Sequence, residues 1–124
     1  MRAVIQRCTS ASVTVDGKIV SSIGPGLLCL VGIKEGDTQK DIDYICKKIL
    51  KTRCFPKESG RGWEEDVTGK GYEVLLVSQF TLYARLKKPK PDFSKAMGPS
   101  TARDFYESFV RQVGELYDPD KVKD

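Results

Sequence analysis

Tyr72-Glu73-Val74-Leu75-Leu76-Val77-Ser78-Gln79-Phe80-Thr81-Leu82-Tyr83 is the stretch that decides the fold of this 124-residue chain. Val74 to Val77 are apolar in succession, so the segment cannot alternate between a wet and a dry face. It predicts a strand covered on both sides. Leu27-Leu28-Cys29-Leu30-Val31-Gly32-Ile33 is a second continuous apolar run of strand length and predicts a central strand.

The other elements lie around these two. Arg2 to Arg7 alternates polar and apolar and reads as a strand. Val13-Thr14-Val15 and Ile19-Val20 flank Asp16-Gly17-Lys18, where Asp-Gly signals a type I′ turn, so a hairpin is expected. A helix follows Asp37 or Thr38, with Asp41 three residues beyond Thr38 in a box-like capping position. Ile42, Ile45, Ile49 and Leu50 form its apolar face. Thr52 to Phe55 is assigned to a short strand. Pro56 to Lys70 reads as a loop, with Trp63 docking it onto the core. A second loop, Arg85 to Pro99, leads to a last helix starting near Ser100 or Thr101. Its buried stripe is Phe105, Phe109, Val113 and Leu116, with Tyr106 and Tyr117 beside it. The order β-β-β-β-α-β-β-α predicts an α+β fold with mostly antiparallel sheets and two main helices, in one domain over residues 1–124.

Composition narrows the chemistry. The chain has no histidine, which removes Ser-His-Asp and Cys-His catalysis and the commonest zinc ligand. Cys8, Cys29, Cys46 and Cys54 include no CxxC pair, so four reduced, partly buried thiols are expected and no metal site. No P-loop and no glycine-rich phosphate fingerprint is present. No cofactor is implied. No apolar run approaches the roughly 20 residues that cross a bilayer, and no secretory leader is evident, so a cytoplasmic address is expected.

The net charge of +4 is modest, but Arg85, Lys87, Lys88 and Lys90 fall close together and suit a polyanion. Lys47, Lys48, Lys51 and Arg53 fit the end of a helix, where cations offset the helix dipole. Ser78, Gln79 and Thr81 close an otherwise apolar strand. Such groups either satisfy one another at a sheet rim or line the mouth of a pocket, with backbone N–H groups available to an oxyanion.

Ser78-Gln79-Phe80-Thr81-Leu82 resembles the signature of the D-aminoacyl-tRNA deacylases, also called D-tyrosyl-tRNA deacylases. Met1 to Arg7, Ala11 to Val15, Gly26 to Gly32, Asp37-Thr38 and Lys90-Pro91-Asp92-Phe93 are similar to that family too, in family order over essentially the whole chain. The resemblance implies the family's fold and a metal-free homodimeric enzyme. Such an enzyme hydrolyses the ester of D-aminoacyl-tRNA, and often glycyl-tRNA, in translational proofreading. Ser78, Gln79, Phe80 and Thr81 would line the catalytic pocket. Gln6 and Arg7 would lie near it, and Lys90, Pro91, Asp92 and Phe93 would form the adenosine side.

A threonine hydroxyl is a poor nucleophile without a base. Neither Glu73 nor Asp92 has an evident reason to approach Thr81, so a positioning role is expected. The mechanism that the family resemblance implies, in which the RNA's own 2′-hydroxyl assists hydrolysis, fits the composition, with backbone N–H groups near Phe80 and Thr81 expected as oxyanion donors.

The pattern departs from the family in places. Lys88-Pro89 stands where Gly-Asn is common, and Ser94 where His is common. The family also carries a strand and an Asn-x-Gly-Pro-Val-Thr motif beyond the last helix, whereas this sequence reads Lys121-Val122-Lys123-Asp124 there. An exposed sheet edge, and weaker chiral rejection or stability, are the corresponding expectations. Met97-Gly98-Pro99-Ser100-Thr101 reads as a helix entry and not as that motif. The alternatives to the enzyme are a nucleic-acid-binding module that keeps the fold without catalysis, and a structural dimer partner.

Overall fold

The computed structural model describes residues 1–124. Strands β1 (Arg2–Cys8), β4 (Gly26–Gly32), β5 (Glu73–Ser78) and β6 (Val122–Lys123) form one sheet in the order β1-β4-β5-β6. Strands β2 (Ala11–Val15) and β3 (Lys18–Ile23) form a separate antiparallel hairpin. Asp16 and Gly17 both have positive φ (51° and 77°), as the expected type I′ turn requires. β1 is antiparallel to β4, whereas β4 and β5 are parallel, as are β5 and β6. The centre of the sheet is therefore parallel, although antiparallel pairing dominates elsewhere. That arrangement fits their unbroken apolar runs: Val74, Leu75 and Leu76 of β5 are buried on both faces, whereas on β4 one face, Leu27, Cys29 and Val31, is buried and the other, Leu28 and Leu30, is half-buried.

Helix α1 (Gln39–Lys51) starts after Thr38, whose backbone N–H donates to the Asp41 carboxylate at 2.8 Å. Ile42, Ile45, Ile49 and Leu50 are buried, as their spacing predicts. Helix α3 (Pro99–Leu116) begins with Gly98 as its cap and Pro99 in the first turn, which bears out the reading of Met97 to Thr101 as a helix entry. Phe109 and Val113 are completely buried, but Leu116 is 60% exposed and lies outside the core. The Tyr117 hydroxyl donates to the Tyr72 carbonyl at 2.7 Å and ties the end of α3 to the start of β5.

Three local expectations need correction. Thr52 to Phe55 is not a strand; only an isolated bridge, Phe55 to Glu65, forms there. The region expected as loop holds a one-turn helix, α2 (Val67–Lys70), whose cap Asp66 accepts from Gly69 N–H at 2.8 Å. Trp63 does not dock on the core. It is 71% exposed and lies against the Arg7 guanidinium, 5.6 Å from its ring centroid.

All four cysteines are free, and all but the half-buried Cys8 are buried. Burial pushes the Cys29 and Cys46 thiols up to about 12, so neither supplies a thiolate at neutral pH. No helix is long and apolar enough to cross a membrane.

Candidate active site

The expected long strand ends early. β5 stops at Ser78, and Phe80–Tyr83 winds into a short 3-10 turn capped by Gln79. The turn is held against β4 by the Gln79 N–H bond to the Val31 carbonyl at 2.8 Å. Close approach also needs Gly32. A Cβ there would lie 2.9 Å from Leu82 Cβ and 3.2 Å from the Gln79 carbonyl oxygen. The polar end of an oily strand is thus lifted out of the sheet and turned toward solvent.

The turn forms one wall of a cavity of about 670 Å³. Ser78 lines it from the end of β5, Gln79 and Phe80 from the cap and start of the turn, Phe93 and Ser94 from the following loop, and Arg103 and Tyr106 from α3. Phe80 and Phe93 pack edge to face, with ring centroids 5.2 Å apart. Both stay partly open, at 58% and 38% exposure, so they offer an aromatic edge at the mouth.

Thr81 belongs to the same turn but not to the cavity lining. Its exposed hydroxyl accepts a hydrogen bond from the Gln79 side-chain amide. Neither candidate carboxylate is bound to it. The Glu73 side chain accepts from Gly24 N–H at 3.0 Å, at the opposite end of β5. Asp92 is engaged by Arg85 at 2.8 Å and by the Ser94 hydroxyl at 2.9 Å. The Arg85 hydrogen bond, with those from Ser94, holds the Asp92 carboxyl below its usual range.

The other expected site residues divide. Lys90, Pro91 and Asp92 line an adjoining basic hollow with Arg85, Lys87 and Lys88, and only Phe93 of that group reaches the main cavity. Gln6 and Arg7 are exposed on β1, opposite Leu28 and Leu27, and do not line the cavity. Arg7 donates instead to the Cys54 carbonyl at 2.8 Å. Arg103, Glu107 and Tyr106 join the lining without having been anticipated. The Tyr106 hydroxyl is buried without a hydrogen-bond partner. Its helical spacing placed it beside the core stripe, and nothing in that spacing separates a core tyrosine from a cavity-lining one. No three Cys, Asp or Glu side chains converge in a metal-binding group.

Comparison with known proteins yields consistent matches. The family described as D-Tyr-tRNA(Tyr) deacylase matches residues 4–124. A Drosophila melanogaster D-aminoacyl-tRNA deacylase is 52% identical over all of this chain and 78% of its own length. The Bos taurus D-aminoacyl-tRNA deacylase 1 is 50% identical, and the chain spans 59% of that relative. The solved structure of a c-Myc DNA unwinding element binding protein, 49% identical, superposes with a TM-score of 0.97 over 100% of this chain and 83% of that one.

Proposed function

The chain belongs to the D-Tyr-tRNA(Tyr) deacylase family, and from that premise we propose that it hydrolyses the ester joining a D-amino acid, or glycine, to tRNA. The observation that carries this reading is that Ser78, Gln79 and Phe80 lie on the wall of an open cavity, beside the Phe80–Phe93 aromatic edge, with Thr81 next to them in the same turn. The terminal adenosine would rest against that edge, with the aminoacyl group reaching toward Ser78 and Gln79.

In the reaction, water adds to the ester carbonyl and the bond to the ribose oxygen breaks. The leaving oxygen takes up the proton that water gives up. The chain brings no histidine to this step. Thr81 accepts a hydrogen bond from Gln79 and has no base beside it, so it positions and does not attack. The neighbouring 2′-hydroxyl of the RNA is the group suited to relay the proton. The N–H groups of Phe80 and Thr81, first in the 3-10 turn, have no carbonyl ahead of them within it, and they suit the developing oxyanion. Orientation of this kind lowers a barrier by several kcal/mol, up to about 7–11 in the best cases.

The same proposal includes a homodimer acting in the cytoplasm, where aminoacyl-tRNA is used. In its support, β1 is an edge strand, and Val4, Val15, Ile19 and Val20 on β1 to β3 are each 46% exposed or more.

The test follows ester loss from D-tyrosyl-tRNA and L-tyrosyl-tRNA. Faster loss of the D ester is the expected result. Loss no faster than in buffer, with tRNA still bound, would favour a binding module that has the fold without the catalysis.

A further inference from the structure

We infer that Arg2, Lys34, Arg85 and Lys95, continued by Lys87 and Lys88, form a track for the phosphodiester backbone of the RNA whose end enters the candidate site. The inference rests on the deacylase reading for the identity of the RNA, but its geometry stands apart from the catalytic residues.

Four segments distant in sequence bring these charges together. Arg2 lies on β1, Lys34 just past β4, Arg85 after the 3-10 turn and Lys95 before α3. All four line one small hollow of about 200 Å³ that no carboxylate side chain borders. Lys34 and Lys95 are held side by side by backbone: Lys34 bridges to Ala96, and the Glu35 N–H donates to the Lys95 carbonyl at 2.9 Å. Arg2 is fixed by its bond to the Leu82 carbonyl at 2.7 Å and by stacking 4.4 Å above the Tyr83 ring. Asp37 is committed to the N-terminal amine at 2.8 Å, and Asp92 pairs with Arg85, which leaves Arg2, Lys34 and Lys95 without an acidic partner.

Arg85 also lines the second hollow, of about 530 Å³, with Lys87, Lys88 and Lys90. Those three lysines make no ion pair within the chain, in contrast to Arg53, Lys57 and Arg61, which gather around Glu64. The Arg85–Asp92 neck, closed by two backbone hydrogen bonds of 2.8 and 3.0 Å, holds the loop out as a short hairpin. From its end, Phe93 and Ser94 lead into the main cavity. Like charges so concentrated repel one another and weaken a compact state unless a polyanion spans them. A strand whose last base sits at Phe80 and Phe93 would carry its preceding phosphates over this surface.

Uncharged tRNA is the probe, titrated at several salt concentrations against wild type and a K34Q/K87Q/K88Q/K95Q variant. The substituted residues are exposed, so thermal unfolding should be unchanged. The variant should bind at least about tenfold more weakly at low salt, with the salt slope shallower by about 0.7–0.9 for each phosphate contact removed. A control, K40Q/K47Q/K48Q/K51Q on α1, removes equal charge from another face. It should stay within about twofold of wild type, because α1 contributes no residue to either basic hollow. A D-tyrosyl ester of adenosine, which has no phosphates, separates this inference from the reading of the active site. The track variant should raise KM for D-tyrosyl-tRNA and leave hydrolysis of the short ester unchanged. If wild type hydrolyses neither ester, the deacylase reading falls while the binding arms still decide the track. Equal losses in the two variants, or no loss in the first, would overturn the track.

Discussion

The Gln79 side-chain amide donates a hydrogen bond to the Thr81 hydroxyl across the start of the 3-10 turn. The bond fixes the direction of the hydroxyl and uses one of its lone pairs, but it removes no proton from it. Thr81→Ala should therefore reduce the rate of D-ester hydrolysis by roughly 10–100-fold and leave a measurable remnant, as expected for lost orientation. Gln79→Ala should do the same, and the double variant should lose little more than either single one, because the two side chains act as one unit. Single-turnover kinetics would decide. Complete loss on Thr81→Ala, with Gln79→Ala nearly normal, would instead make the hydroxyl a nucleophile.

Gly32 allows the 3-10 turn to lie close on β4. A methyl group there would meet Leu82 Cβ at 2.9 Å and the Gln79 carbonyl at 3.2 Å. Gly32→Ala should cost about 1–3 kcal/mol of stability through overpacking. It should also lower kcat, because relief of the clash displaces Gln79 and Leu82 at the base of the turn. Urea unfolding and ester hydrolysis on one preparation would show whether the two effects appear together.

The sequence carried more of the sheet than of the site. Runs such as Leu27 to Ile33 and Val74 to Val77 encode burial on both faces, and burial is a local signal. The Asp16-Gly17 turn was legible because few residue pairs accept positive φ twice. The end of β5 was less so: Phe80, Thr81, Leu82 and Tyr83 all suit a strand, and the close approach of their turn to Gly32, a contact distant in sequence, is not a local signal. Family resemblance brought Ser78 to Thr81 and Lys90 to Phe93 to notice as candidate site residues, but not the division of Ser78, Gln79, Phe80 and Phe93 from Lys90, Pro91 and Asp92 between two hollows, nor the place of Thr81 outside both. Arg2, Lys34 and Lys95 were invisible as a group because only the folded chain brings their three separate segments together.

The Tyr106 hydroxyl is buried against the cavity without a hydrogen-bond partner. Such a group costs about 1–3 kcal/mol relative to one that is satisfied. Tyr106→Phe should therefore leave the protein as stable or raise stability by up to about 1 kcal/mol, contrary to the usual effect of a substitution beside a core. Thermal and urea unfolding would measure it. A clear loss of stability would mean that the hydroxyl has a partner in solution.

Acid should loosen the basic hairpin before it disturbs the sheet. Asp92 holds the loop neck through Arg85 and the Ser94 N–H and hydroxyl, and these bonds hold its carboxyl below the usual carboxylate range. A lowered folded pKa means stabilisation that is complete above the unfolded value and is lost as pH falls through the folded one. Between neutral pH and about 5, the neck should stay closed and tRNA binding should not respond to this group. As pH falls below 4, Asp92 takes up a proton and Arg85 loses its partner, so the protection of the Arg85 and Asp92 amides, relative to their intrinsic exchange at the same pH, should fall. β4 and β5 carry no such carboxylate contact at their centres, so their amides should stay protected over the same interval. Asp92→Asn should reproduce the loosening at pH 7 and abolish its acid dependence. A variant that keeps the wild-type acid response would place the titrating group elsewhere.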